Sequence, residues 1–284
     1  MKNQKMTKVI ALVLTFAMCL SLFGCGGGNK EEASNAGTTL SVCLASEPDT
    51  LDPALNSAVD GATMVSHLFS GLAKWAQNES GALVIVPDAV EELVEGVVNA
   101  DGTVTYTYTL REGMKWSDGK EVTAADFEFA WNRAASPALS ADYNYMFDVV
   151  KGYADMWETD ETGVNFVNPD AKLAVKAIDA RTLEVTLNNA VAYWNELLAF
   201  PVYFPVREDV VANEGWATSP ETYVSNGAYT MVGWEHDSVI TLAKNPNYID
   251  AAEVTVDTLK CYLSDDANNM LTNFKNGDWL MIDD

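Results

Sequence analysis

The chain has 284 residues, a formal net charge of −24 at pH 7 and 48% hydrophobic residues. An excess of acidic side chains this large repels phosphate backbones, so nucleic acid is excluded as an expected partner. The hydrophobic content is typical of a folded chain in one large or two ordinary domains, with the acidic side chains on a solvated face.

The amino terminus has the pattern of an export signal. Residues 1–8 carry three lysines and no acid, and an apolar segment of fifteen residues, VIALVLTFAMCLSLF, follows them. This length is typical of a secretory signal and is shorter than the roughly 20 residues that a membrane-spanning helix needs. We therefore expect residues 1–24 to be a signal peptide and the protein to be exported.

The end of this signal resembles a lipoprotein signal, because LFGC is followed by the polar, Gly-rich GGGNKEEASNAG. In bacterial lipoproteins the cysteine at this position, here Cys25, is diacylated and becomes the first residue of the mature chain. We expect a lipid on Cys25 and a flexible tether over 25–38, which would hold the protein on a membrane surface without spanning it. The protein would then lie on the outer face of the cell membrane in a Gram-positive organism, or in the periplasm of a Gram-negative one. The alternative is an ordinary signal peptide with a chance cysteine.

The elements predicted next along the chain mix strands and helices. The alternation in TTLSVCLA predicts a strand, the Pro-broken SEPDTLDPALNS a loop, and the apolar spacing in DGATMVSHLFSGLAKW a helix capped by Asp60. ALVIVPDAV and VTYTYTLREGMKW predict strands, and SDG a turn. Thr123 and Asp126 then resemble a capping box, which predicts a helix that buries Phe127 and Trp131.

The later segments continue the mixture. KLAVKAIDARTLEVTLNNA predicts a hairpin with its turn at 179–182, and VAYWNELLAF predicts a helix. YVSNGAYTMVGWEHDSVITLAKNPNYID predicts a second hairpin, VTVDTLKCYL a strand, and DDANNMLTNFKNG a helix. Because helices and strands do not alternate regularly, the sequence predicts mixed α+β or irregular α/β architecture.

Residue patterns for catalysis are absent from the sequence. Neither His67 nor His236 has a second His or Cys at the spacing of metal ligands, and no string for a catalytic nucleophile, phosphate-binding loop or dinucleotide site is present. We therefore predict no enzyme activity, no metal and no cofactor. Cys43 and Cys261 lie in apolar alternating runs and are expected to be buried, although export would permit a disulfide between them.

Aromatic residues are concentrated in irregular segments, where two interpretations stay open. Aromatic rings with polar tips suit the wall of a ligand pocket, and the same residues are equally suited to a hydrophobic core. The two groups are Tyr143, Tyr145, Phe147 and Tyr153, and Trp194, Tyr203 and Phe204.

Six blocks of the sequence, taken in order, resemble the successive motifs of the bacterial extracellular solute-binding proteins of family 5, which are receptors of ABC importers. The resemblance runs from about 39 to about 276 and is strongest to the oligopeptide-binding members. The blocks are SEPDTLDPAL, HLFSGL, YTYTLREGMKWSDGKEVTAADFEFAWNR, VKAIDARTLEVTL, VSNGAYTMVGW and LAKNPNY.

The resemblance implies a periplasmic-binding-protein-like fold of class II with two lobes that close on an extended peptide. The first lobe would contain a discontinuous sub-domain, 39–70 and 206–270, and an inserted sub-domain, 71–205. Residues 271–284 would start the second lobe. Because family members are about twice as long, we expect the chain to be a C-terminally truncated fragment that lacks that lobe and binds peptide weakly or not at all by itself.

The resemblance also implies site residues and partners. The stretch after TLDP supplies main-chain groups that pair with peptide in strand fashion, here Ser57, Ala58 and Val59, and a Tyr after the WNR helix reaches the ligand, here Tyr143. The expected partners are peptide, an ABC permease and its ATPase subunits, with the receptor itself a monomer.

Other functions remain possible at this point. The same family includes receptors for dipeptides, nickel, haem and sugar oligomers. A surface lipoprotein without a transport role is a further alternative, and so is a secreted hydrolase, which the missing nucleophile and metal motifs disfavour.

Overall fold

The computed structural model describes residues 37–159, 165–168 and 170–282. The predicted signal peptide, Cys25 and most of the tether lie outside the described residues. The helices are α1 Val59–Leu68, α2 Ala124–Ala135, α3 Trp194–Leu198, α4 Glu208–Val211 and α5 Ala267–Asn276. The strands are β1 Thr39–Leu44, β2 Ala73–Gln77, β3 Leu83–Pro87, β4 Val97–Val98, β5 Val104–Thr109, β6 Trp157–Thr159, β7 Asn165–Val167, β8 Val175–Ala177, β9 Thr182–Leu187, β10 Tyr229–Glu235, β11 Val239–Lys244, β12 Thr258–Leu263 and β13 Met281–Ile282.

One sheet joins the two ends of the described chain. Its strand order is β10-β11-β12-β1-β13, with β1 parallel to both of its neighbours and β10, β11 and β12 antiparallel. The first strand, β1, pairs with β12 so that Thr39 lies opposite Thr258. The predicted mixed α+β or irregular α/β architecture is confirmed, because helices and strands occur together without regular alternation.

A second sheet, β4-β5-β9-β8, is antiparallel and is covered by α2. The core beside it is aromatic: the indole N–H of Trp131 donates to the carbonyl of Tyr203 at 2.7 Å, and that of Trp194 donates to the hydroxyl of Tyr108 at 2.8 Å. Both tryptophans and both tyrosines are buried. The pocket interpretation is therefore wrong for Trp194 and Tyr203, since large rings with one polar atom each are satisfied inside this core.

Of the two helix N-caps predicted from the sequence, one is confirmed and one is wrong. The capping box at Thr123 is confirmed, with its backbone N–H donating to Asp126 at 2.8 Å. The predicted cap at Asp60 is wrong, because the N-cap is Ala58, two residues earlier, and α1 begins at Val59. Asp60 instead lies in the first turn, where its carboxylate accepts a hydrogen bond from Ser46.

The SDG turn is a structural hub that links three separate sequence motifs. The backbone N–H of Ser117 donates to Ser225 at 2.7 Å, and its carbonyl accepts from the side chain of Asn247 at 3.0 Å. Arg207, which is buried, donates to the carboxylate of Asp118 at 2.6 Å. Burial alone would raise the pKa of Asp118, but the hydrogen bonds, led by the one from Arg207, outweigh it and keep that pKa below its usual value. The turn is therefore scaffold.

The cysteines lie on opposite faces of the five-stranded sheet. Val42 is directly opposite Cys261 in the pairing of β1 with β12. Successive side chains of a strand point to opposite faces, so Cys43 points away from Cys261. Cys43 packs with Met270 and Trp279, whereas Cys261 belongs to the main core. Both thiols are free and buried as predicted, and the disulfide that export would permit is not formed.

We expect both thiols to resist alkylation until the protein unfolds. Cys43 is 0% and Cys261 3% exposed, and burial raises the pKa of Cys261 to about 12. A reactive thiolate is therefore scarce as well as inaccessible. Iodoacetamide should leave both unmodified in buffer and modify both fully in denaturant without a reductant, as read by peptide mass spectrometry. A disulfide-linked peptide containing the two cysteines would contradict this arrangement.

Candidate functional site

A cavity of about 410 Å³ opens beside the start of α1. Its volume lies within the range of small-ligand pockets, roughly 300–1,000 Å³. None of the residues that line it is charged. They come from the loop and first turns of α1, from β2 and from two irregular segments: 56–59, Ala62, Thr63, Ser66, Trp75, Tyr143 and 199–201.

The loop that leads into α1 is held by a buried ion pair. Arg133, on α2, donates to both carboxylate oxygens of Asp52 at 3.1 and 2.6 Å, and the Asp52 side chain is 2% exposed. The same carboxylate accepts from the N–H of Ala54, and the Asp52 carbonyl accepts from Leu55 and Asn56. Asp52 therefore closes the turn from both its side chain and its main chain, as Asp does in tight turns.

A buried tyrosine supports this loop from the other side. The hydroxyl of Tyr223 donates to the carbonyl of Leu51 at 2.9 Å. Burial, together with the neighbouring charge of Asp52, raises the pKa of Tyr223 well above its usual value. The hydroxyl is therefore a donor at any physiological pH, which keeps the loop fixed.

Asn56 and Gly61 set the direction in which α1 begins. The Asn56 amide donates to the carbonyl of Ala58 at 3.1 Å. A Cβ atom on Gly61 would lie 1.9 Å from the Asn56 side-chain oxygen, so only glycine permits this close approach. The Ala58 carbonyl also accepts the first helical hydrogen bond, from Ala62 at 3.0 Å.

Three successive main-chain donors at this corner are not used within the described residues. No hydrogen bond is formed there by the N–H groups of Ser57, Ala58 or Val59, and α1 has no side-chain cap. All three residues are exposed, and Ala58 has extended backbone, with φ −101° and ψ 152°. An extended segment with free donors can pair with a second extended chain.

Tyr143 also lines the cavity. Its ring packs edge-on against Phe200, with 5.0 Å between centroids. The segment that carries Tyr143 is held by the core, because the hydroxyl of buried Tyr203 donates to the carbonyl of Met146 at 2.6 Å. Tyr143 itself is only partly buried, so its ring and hydroxyl can meet a ligand.

The structure brings the four predicted ligand-binding residues, Ser57, Ala58, Val59 and Tyr143, to one cavity. Their role in binding stays a prediction. Sequence reasoning missed Trp75, which lines the same cavity from β2 and is 52% exposed. The sequence pattern had placed Trp75 at the end of the helix predicted over DGATMVSHLFSGLAKW, and that part of the prediction is wrong, because α1 ends at Leu68 and Trp75 lies on β2.

Neither a metal site nor a membrane-spanning helix is present in the described part of the chain. Within the described ranges no three His, Cys, Asp or Glu side chains lie together as a metal site requires. His67 packs edge-on against Tyr229, and the Nδ1 atom of His236 lies 2.5 Å from a carboxylate oxygen of Glu47. None of the helices in this part of the chain is both long and apolar enough to span a bilayer.

Curated relatives resemble nearly the whole chain. The oligopeptide-binding protein OppA of Bacillus subtilis is 34% identical over 285 aligned positions, which cover 97% of this chain and 49% of the relative. The dipeptide-binding protein DppE of the same organism is 28% identical, covering 97% of this chain and 50% of the relative. The chain thus spans about half the length of these relatives.

Solved structures share the fold. OppA of Burkholderia pseudomallei superposes with a TM-score of 0.73 at 31% identity, covering 87% of this chain and 46% of that one. Listeria monocytogenes OppA bound to peptide gives a TM-score of 0.73 at 29% identity, covering 86% and 46%. The predicted periplasmic-binding-protein-like fold is therefore confirmed for the part that the chain spans.

A sequence profile gives the family. The profile described as bacterial extracellular solute-binding proteins, family 5 Middle, matches residues 85–283. The matched range includes the Thr123 helix cap, the SDG hub and the Tyr143 wall of the cavity. This chain belongs to the bacterial extracellular solute-binding proteins of family 5.

Proposed function

We propose that this chain supplies one wall of the peptide-binding cleft in a receptor of an ABC importer. The observation that carries the proposal is the meeting of three unused main-chain donors, Ser57 to Val59, with the partly buried Tyr143 at one uncharged cavity. Relatives named as oligopeptide-binding and dipeptide-binding proteins support peptide as the ligand.

In this proposal the peptide lies along the main chain at 57–59, where Ala58 is extended and Val59 begins α1. Its carbonyl groups accept hydrogen bonds from the free N–H groups, as an added strand would, while Tyr143 contacts it from the opposite side. Main-chain pairing gives affinity without reading side chains. Water in the roomier parts of the cavity adapts to different peptides, so binding is broad.

The proposal extends to the cellular setting. Export by the signal at 1–24 and a lipid on Cys25 would hold the receptor at a membrane surface, where it passes peptide to the permease. The discontinuous sub-domain (39–70 and 206–270), the insertion (71–205) and a second lobe beginning near 271 form part of the same proposal. A monomeric receptor meets the permease most simply.

A proline at Val59 tests main-chain donation directly. Val59 is the first residue of α1, where proline fits the helix and removes only an N–H group that the fold does not use. The preceding residue, Ala58, is already extended, as a residue before proline must be. In the complete gene product we expect Val59→Pro to weaken tri- to pentapeptide binding about tenfold in calorimetry, the loss of one hydrogen bond of about 1.5 kcal/mol.

The matched control is Val59→Ala, which keeps the N–H and removes a side chain that is 74% exposed. Its affinity and melting temperature should equal those of the parent protein. Equal peptide affinity in the proline variant, with an unchanged melting temperature, would rule out donation by Val59. Absence of any peptide binding by the parent protein would refute the peptide-receptor function.

A further inference from the structure

The cavity has an apolar side that main-chain pairing does not need. Trp75 lines it from β2 and stays 52% exposed, and Tyr143 and Phe200, which also line it, meet edge-on with 5.0 Å between ring centroids. Large apolar surface left open in a cavity next to free polar donors is the arrangement of a ligand pocket, in which the donors orient and the apolar walls select.

We propose that Trp75, Tyr143 and Phe200 form a side-chain subsite that selects peptides carrying a large uncharged side chain, aromatic or branched aliphatic. This inference rests on the peptide-receptor function proposed above and adds a substrate class to it. The main-chain donors at 57–59 hold the peptide backbone, and the aromatic subsite takes one of its side chains.

Charge argues for the same class. The chain carries a formal charge of −24, yet no acidic or basic residue lines this cavity. A Lys, Asp or Glu side chain that entered would lose hydration and gain no partner from the described lining, which is unfavourable. An acidic side chain would in addition approach a strongly negative protein. An aromatic ring gains both burial and ring contacts.

The position of Trp75 separates this role from a role in folding. On β2 it pairs with Ile85 of β3, at the middle of a two-stranded sheet. More than half of its surface is open, so the fold does not use it as core. Leu83, on the same hairpin, is 65% exposed and is not part of the cavity lining, which makes it a matched control.

The test uses the complete gene product and a tetra-alanine peptide in which each position is replaced in turn by Phe, Leu, Glu or Lys. We expect at least one position at which the Phe and Leu peptides bind about tenfold more tightly than the Glu and Lys peptides. Trp75→Ala should reduce that preference several-fold, by weakening the Phe and Leu peptides more than it weakens tetra-alanine. Leu83→Ala should change neither, and Trp75→Phe should restore most of the preference.

A second variant tests the subsite by adding a charge and leaves the aromatic rings in place. Ser66 lines the cavity from the exposed side of α1. Ser66→Lys should improve binding of the Glu peptides relative to the Lys peptides. Peptides that bind the parent without preference, or a preference that Trp75→Ala leaves unchanged, would overturn the subsite alone. A parent protein that binds none of the peptides would overturn the subsite together with the receptor function.

Discussion

Replacing Asp52 with alanine is expected to lower the free energy of unfolding by about 3–5 kcal/mol, because it leaves the charge of Arg133 without its partner in the interior. The Asp52 side chain is 2% and that of Arg133 16% exposed. The substitution also removes the cap on Ala54 and frees the loop that carries Ser57. Urea unfolding of the complete gene product would measure the loss.

An exposed ion pair provides the control for this prediction. Lys151 and Asp101 lie 3.5 Å apart with side chains 51% and 58% exposed. Such pairs contribute at most about 1 kcal/mol, so Lys151→Ala should leave stability nearly unchanged. A loss below about 1 kcal/mol for Asp52→Ala would mean that water reaches the Arg133 guanidinium and replaces the carboxylate.

Gly227→Ala is expected to destabilise the protein by about 3 kcal/mol, through overpacking of backbone against backbone. The N–H of Gly227 donates to Leu68 at 2.8 Å, and an added Cβ would lie 2.5 Å from the Leu68 carbonyl carbon and 2.6 Å from the nitrogen of Phe69. Neither atom is the movable end of a side chain. Thermal unfolding should show a fall of several degrees in Tm.

The control here is Gly233→Ala in β10. An added Cβ at Gly233 would lie 3.6 Å from Thr241, an ordinary contact, so its effect should stay within about 1 kcal/mol. If both glycine variants were equally stable, the segment after Leu68 would have to move aside without cost. That result would contradict a rigid joint between Gly227 and the backbone of Leu68 and Phe69, which it closely approaches.

Asn226 explains why this joint is rigid. Its side-chain oxygen accepts from the N–H of Ser70 at 3.0 Å, and its amide donates to the Ser70 carbonyl at 3.0 Å. The side chain thus makes the two bonds that a neighbouring strand would make. Asn226 and Ser70 are both buried, so each bond satisfies groups that water cannot reach.

Much of the fold could be predicted from local pattern. The Thr123 capping box and the hairpin around 179–182 depend on neighbours a few residues apart, and both are confirmed. The helix predicted over VAYWNELLAF is only five residues long, because a 3₁₀ turn that starts at Pro201 follows it. The predicted cap at Asp60 failed because its carboxylate binds Ser46 instead, and the helix begins beyond Ala58, whose carbonyl accepts from the Asn56 amide.

Less of the candidate site than of the fold could be predicted from the sequence. The role proposed for Ser57, Ala58 and Val59 uses main-chain atoms, which every residue has, so only the family resemblance singled them out. Tyr143 and Tyr203 are the same residue type in irregular segments, yet one lines the cavity and the other is 0% exposed. Trp75 shows the same limit, since helical spacing placed it in the predicted helix, whereas the chain leaves α1 at Leu68 and forms β2 at 73–77.

The parallel pairing of β1 with β12 has a kinetic consequence. Thr39 cannot meet Thr258 until nearly the whole described chain has been synthesised, so β1 spends most of that time without a neighbour on either edge. Contacts between such distant residues form slowly, and an unpaired apolar strand invites aggregation. The sheet built from β5 and β9 lies between these partners in sequence and can form first. Because the five-stranded sheet closes late, β1 is the strand of the nascent chain that stays unpaired for longest.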